Sequence, residues 1–327
     1  VKSYLNNFME QRYIYIDRLK GLSIILVVVG HILAFSMKGD RNPIDTVITS
    51  FHMPLFMFLS GLVIKEPKTG KFLIKRLLLL LVPFLVVGLL FNLCINDTFE
   101  SFFANGFKKG YWYLWVLAIY YILLLPTKIN IIERFSLVKD IIIGVALFVL
   151  LKFLSREVGT SDWFSISLMS NLWLYFYTGF LVRRYNGVDW LKKRTVLFSI
   201  ALISYIPLLI LYDKETLIHF AQIVPITAII ILLYIFIYRN DKYSKIENLL
   251  AWIGKGTLDI YIFHYFILQI INIPMLGNWF IETSNYFLEV IFLCILSIII
   301  SCACICIGRT IRLSPLLTQI VYGKINF

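Results

Sequence analysis

Residues 17–35 open with Asp17-Arg18-Leu19-Lys20-Gly21-Leu22-Ser23 and continue as an apolar run through Gly30-His31 to Leu33-Ala34-Phe35. A charged turn followed by an apolar run with an imidazole inside it reads as a helix that enters a bilayer from one surface. With Arg12 before it, the stretch also resembles a secretory signal. No small-x-small cleavage pattern follows, and the basic segment is long and contains Asp17. We therefore read a retained first transmembrane helix. Ionisable groups in hydrocarbon are expensive and default to a functional reading. At about 100° per residue, Lys20 and His31, eleven positions apart, fall within about 20° of each other and about 16 Å apart along the axis. Asp17 falls on the same side.

The rest of the chain agrees. Of 327 residues, 60% are hydrophobic, 16% aromatic and 15% charged, with a mean hydropathy of +0.83. Soluble domains carry about 25% charge, so a cytosolic enzyme, a disordered chain and a secreted disulfide scaffold are excluded. Length alone would suggest roughly two soluble domains, but apolar runs fill nearly the whole sequence. With about 20 apolar residues needed per span, the candidates cover about 20–37, 46–64, 72–94, 111–127, 138–154, 163–182, 195–212, 216–238, 256–273 and 286–307. The fourth and fifth are the shortest. Loops between them are short, and no appended soluble domain, internal repeat or low-complexity linker is expected.

The charge is +12. Counting loops alternately from an inside N-terminus, the inside segments hold 24 of the 31 basic residues. The outside ones hold 7: Lys38, Arg41, Lys108, Lys109, Lys152, Arg156 and Lys214. That is the positive-inside asymmetry of a cytoplasmic-membrane protein with both termini in the cytoplasm. Trp112, Trp163, Trp190, Trp252 and Trp279 fall near span ends, as interfacial anchors do. No extramembrane segment is long enough for a nucleic-acid reading domain. The expected fold is thus an all-α integral membrane bundle of about ten helices, with residues 1–327 as one polytopic domain.

The chain has four histidines, His31, His52, His219 and His264. His52 lies about seven residues into the second stretch, near the depth of His31 when the helices run antiparallel. Ser60-Gly61, at its far end, reads as a close-packing step. His264 follows Tyr261 by one turn, consistent with a hydrogen-bonded pair between helices. Asp259, near the start of that helix, suits its dipole, and His219 sits near an outer interface. Four of five cysteines lie in the last apolar stretch. Cys302 and Cys306 are one turn apart but lack a His or carboxylate partner, so they read as packing residues and no metal is expected.

These motifs resemble, in order, the membrane-bound acyltransferase-3 family, and within it the sugar O-acetyltransferase branch that includes fucose acetylases. The residues that carry the resemblance are Asp17, Lys20 and Gly21 with His31 in helix one, and Phe51-His52-Met53-Pro54-Leu55-Phe56 through Ser60-Gly61 in helix two. Lys75, Arg76 and Pro83 follow, then Trp112-Tyr113-Leu114, and finally Gly256, Thr257, Ile260-Tyr261 and His264. Lys20 stands where many members have Arg, which keeps the charge but loses the bidentate fork. The resemblance implies acetyl transfer from acetyl-CoA to a carbohydrate hydroxyl. Lys20 and Arg76 would hold the CoA phosphates, with Arg18 and Lys75 in reserve. His31 would be the general base, acyl-histidine formation being the lesser variant. His52 would position the acceptor or stabilise the oxyanion. Asp17, Trp112, Tyr261 and His264 would support the substrates. Implied partners are acyl-CoA, a glycan or lipid-linked glycan, and membrane lipids. A transporter or flippase for a lipid-linked sugar or acyl donor is the competing class, although Pro207 and Pro225 define no matched pair of broken helices. An inactive assembly scaffold is the third.

Overall fold

The computed structural model describes residues 14–36, 43–64, 70–128, 136–213, 222–239, 244–271 and 274–324. Arg12, Lys38, Arg41, Lys214 and His219, weighed above, lie outside these. The described residues form helices and no strand. In chain order they are α1 (Ile14–Ser36), α2 (Pro43–Val63), α3 (Gly70–Cys94), α4 (Phe99–Ala104), α5 (Trp112–Leu123), α6 (Ser136–Glu157), α7 (Ile166–Arg184), α8 (Gly187–Lys192), α9 (Thr195–Asp213), α10 (Ile223–Tyr238), α11 (Lys245–Lys255), α12 (Thr257–Ile270), α13 (Pro274–Thr283), α14 (Tyr286–Ile311) and α15 (Pro315–Tyr322). Short 3-10 turns at Lys108–Gly110 and Leu125–Lys128 flank α5.

Over the described residues, each predicted apolar stretch falls on a helix. Among the described residues four helices, α1, α2, α3 and α14, are long and apolar enough to cross a membrane. At 1.5 Å per residue the 25 residues of α3 reach about 37 Å against a hydrocarbon core of about 30 Å. Shorter apolar helices include α10, with 16 residues, and α12, with 14. Exposed apolar side chains cover α6 (Val145, Val149, Phe153), α9 (Ile203, Ile206) and α14 (Phe287, Ile295, Ile299). A water-facing surface does not carry such continuous apolar cover; a lipid-facing one needs it, and the chain is a multi-pass membrane protein. Trp163, Trp190 and Trp279 are exposed, as anchors should be, whereas Trp112 is buried because it starts α5 inside an aromatic cluster.

The chain divides into two compact units: Val1–Leu59 with Val188–Thr257 and Pro274–Ser301, and Ser60–Gly187 with Leu258–Ile273 and Cys302–Phe327. In the first unit α11 packs along the start of α1. A Cβ on Gly21 would strike the Leu250 carbonyl oxygen, and one on Gly254 the Asp17 carbonyl oxygen. The two glycines thus let the backbones touch. This stretch reads as a loop in the sequence, yet Ser244-x-x-Glu247 is a capping box: Ser244 Oγ accepts from the Glu247 amide at 3.1 Å and Glu247 Oε2 from the Ser244 amide at 3.0 Å.

In the second unit α6 and α7 pair through Gly144, which lies against the Tyr177 ring, and through Trp173 Nε1, which donates to the Gly144 carbonyl at 3.0 Å. Buried Asp140 accepts from the Tyr185 hydroxyl at 2.7 Å and pairs with Arg184 at 3.2 Å. Gly61 fulfils the expected close packing, since a Cβ there would strike the Phe176 carbonyl oxygen of α7. Ser60 does something else, described below.

Candidate active site

Helix α1 runs without a break from Ile14 to Ser36. It therefore keeps the eleven-residue register that puts Lys20 and His31 on one side. Asp17 and Arg18 are buried, Lys20 and His31 half-buried. Arg18 is wholly enclosed, and its Nη1 donates to the Arg239 carbonyl oxygen at 2.7 Å, satisfying a carbonyl at the C-terminal end of α10. Glu247 on α11 accepts from Arg239 Nε at 2.8 Å. The Ser244 amide hydrogen bond first, and the Arg239 guanidinium after it, hold this carboxyl below its usual range against the opposing effect of burial. The charged turn at the base of α1 is thus built into the protein, with Lys20 beside it.

The His31 ring lies 5.7 Å from that of Phe35. Its neighbour Gly30 faces α2: a Cβ there would lie 3.9 Å from Ile48 Cγ2. Ile48 is also the residue whose carbonyl accepts from His52 Nδ1, at 2.7 Å. The Gly30–His31 turn of α1 and the Ile48–His52 turn of α2 are therefore neighbours, which is the level that residue counting assigns to both histidines. A carbonyl can only accept, so Nδ1 of His52 carries the hydrogen, and Nε2 is the basic nitrogen of the neutral ring.

The remaining predicted residues belong to the second unit. Arg76 is half-buried on α3 with its guanidinium 5.0 Å from the Phe72 ring centre; Lys75 beside it is exposed. Tyr261 and His264, both buried, share one turn of α12. His264 Nδ1 donates to the Ile260 carbonyl at 2.8 Å and the Tyr261 carbonyl at 3.0 Å, the same self-helix tether that His52 uses. The Tyr261 hydroxyl donates to the Gly110 carbonyl at 2.9 Å and accepts from the Tyr113 amide at 3.1 Å. Trp112 is beside this contact. The Tyr113 hydroxyl in turn shares a 2.7 Å hydrogen bond with Ser60. Ser60, expected as a packing residue, is a polar link in this chain, and Gly61 alone does the packing.

Two features escaped the sequence. Asp259 does more than suit a helix dipole: Arg312 Nη1 and Nη2 donate to its two oxygens at 2.8 and 2.5 Å, and the Tyr322 hydroxyl donates at 2.7 Å. Gly308 leaves room for that carboxylate. Lys108, counted only as a loop charge, is fully buried. Neither position belongs to a periodic pattern; a buried lysine that opens a run of left-handed backbone has no local signature. The five cysteines are free thiols, and the described residues contain no cluster of three or more His, Cys, Asp or Glu able to hold a metal.

The fold is that of an all-helical multi-pass membrane protein, with the histidine-bearing turns of α1 and α2 side by side. Comparison with known proteins narrows it. Residues 13–306 match the acyltransferase-3 model, described as an acyltransferase domain. The chain belongs to that family. It is 29% identical to the nodulation protein NolL of Sinorhizobium fredii over 41% of this chain and 42% of that one. It thus spans about two fifths of the length of that relative. It is 23% identical to the inner membrane protein YcfT of Escherichia coli over 83% of this chain and 84% of that one. No solved structure matches.

Proposed function

We propose that the protein is an O-acyltransferase that moves an acyl group, acetyl by family resemblance, from acyl-CoA to a hydroxyl of a cell-surface polysaccharide or its lipid-linked precursor. The observation that carries this reading is the unbroken α1, with Lys20 and His31 in register and the His52 turn alongside. The family model spans both compact units, which supports a single polytopic domain over 1–327. The charge asymmetry supports ten spans with both termini in the cytoplasm, and the YcfT likeness supports a bacterial inner membrane.

In this reading the CoA phosphates meet Lys20 and Arg76, with Lys75 and Arg18 as secondary contacts. A sugar hydroxyl is too weak an acid to ionise unaided near neutral pH, and imidazole suits the task of taking its proton. His31 accepts that proton as the oxygen attacks the thioester carbonyl. The carbon–sulfur bond then breaks, and the thiolate recovers the proton from the imidazolium. The tether on Nδ1 gives His52 an accepting Nε2, which suits holding the acceptor hydroxyl; stabilising an oxyanion would require its protonated ring. Asp17, Trp112, Tyr261 and His264 support the substrates. No metal takes part.

Thiol release in proteoliposomes, with acetyl-CoA and a lipid-linked glycan extract, tests this. Acceptor-dependent CoA release that disappears in folded His31→Ala is expected. Equal release by both would remove His31 from the mechanism and leave the reaction class standing. No release by folded wild type with several acyl donors would shift the weight to a transporter or flippase.

A further inference from the structure

The 3-10 turn before α5 contains three successive residues in the left-handed region: Lys108 (φ 48°), Lys109 (φ 51°) and Gly110 (φ 101°). Two of them are lysines, for which this conformation is costly. Something must hold the turn. The Lys108 side chain folds inward, fully buried, and its Nζ donates to the carbonyls of Phe103 at 2.7 Å, Asn105 at 2.9 Å and Asp162 at 2.8 Å. An ammonium has three N–H groups, and each meets one carbonyl. The ring of acceptors is itself tied together. The Asp162 amide donates to the Ala104 carbonyl at 2.8 Å and Ser165 Oγ to the Gly106 carbonyl at 2.7 Å. The Asp162 carboxylate caps the first amides of α7 at 2.7 and 3.0 Å. Burial pulls the Lys108 amine down to about 8 against the opposing charge of Asp162.

What this turn grips is the Tyr261–Tyr265 segment of α12. The Gly110 carbonyl takes the Tyr261 hydroxyl, the Tyr113 amide donates to the same hydroxyl, and the Tyr111 hydroxyl donates to the Ile262 carbonyl at 3.0 Å. Gly110 lies so close to the Tyr265 ring that a Cβ would overlap it. That ring is 4.1 Å from the His264 imidazole. We propose that Lys108 is a positioning residue for the acyl transfer: its buried ammonium shapes the 108–110 turn, and that turn holds Tyr261 and His264 in place. The link to turnover rests on the function proposed above; the positioning itself rests on geometry alone.

The test uses full-length protein labelled with 15N-histidine in lipid nanodiscs, with the His264 ring signals identified from His264→Asn. Lys108→Met is expected to move the His264 ring resonances. It should lower kcat roughly 100-fold, the scale of a small misplacement, with KM for acetyl-CoA near wild type. Lys109→Met removes the neighbouring ion pair with Asp97 and is expected to move neither. Unmoved His264 signals in folded Lys108→Met, or equal effects in Lys109→Met, would overturn the positioning role. Moved signals with wild-type turnover would overturn the link to the reaction while the positioning stands. If Lys108→Met does not fold, Gly110→Ala disturbs the same turn with the ammonium intact; unmoved His264 signals there would overturn the clamp.

Discussion

Gly21 on α1 and Gly254 on α11 face each other so closely that a Cβ on either would meet backbone of the opposite helix. This crossing presses α11 against the turn that bears Asp17, Arg18 and Lys20. Backbone cannot give way as the end of a flexible side chain can. Gly254→Val is therefore expected to lower stability by about 1–3 kcal/mol, the usual cost of overpacking. Thermal unfolding in detergent measures this; a wild-type melting temperature would show that the helices separate without cost.

Lys20 is the half-buried cation on the His31 side of α1. If it meets a CoA phosphate, Lys20→Ala raises KM for acetyl-CoA about tenfold or more, the value of one charge-assisted hydrogen bond. Lys20→Arg keeps the charge and stays near wild type. Initial-rate kinetics with each substrate varied in turn make the comparison. An effect confined to the acceptor KM would move Lys20 from the donor to the acceptor.

Tyr322 closes α15 onto Asp259, and Arg312 lies 4.4 Å from its ring centre. Tyr322→Phe removes one hydrogen bond to a charged, buried acceptor and keeps the ring. The expected loss is about 1.5–3 kcal/mol, read as earlier unfolding of α15 by hydrogen exchange. Unchanged protection of residues 315–322 would mean that Arg312 alone holds the helix.

Glu247 supplies the pH dependence of the α11 cap. Its folded pKa lies below the ordinary 4.5 because the Ser244 amide and the Arg239 guanidinium favour the carboxylate. A lowered carboxyl pKa stabilises the fold above the ordinary value, and that contribution fades as pH falls from about 4.5 through the folded pKa. Wild type should lose melting temperature across this window relative to Glu247→Gln, which has no carboxylate to protonate. Parallel pH profiles for the two would rule out this cap as the source.

The sequence alone determined where the apolar helices run and that Lys20 and His31 share a side of the first. Both follow from fixed quantities, the thickness of hydrocarbon and the 3.6-residue turn, which act along one contiguous stretch. It also carried enough motif to name the family that the comparison confirmed. The Ser244-x-x-Glu247 capping box is local and legible, but it lies in a segment whose basic residues also read as a loop. Other relationships had no sequence signal to find. Tyr261 and Gly110 are 151 positions apart, Asp259 and Tyr322 63, Lys108 and Asp162 54. Partners so distant leave no period in the sequence, and a lysine bound for solvent is written like one bound for three buried carbonyls. Only tertiary structure decided which, because burying an ammonium is favourable only where the fold brings acceptors to each of its protons.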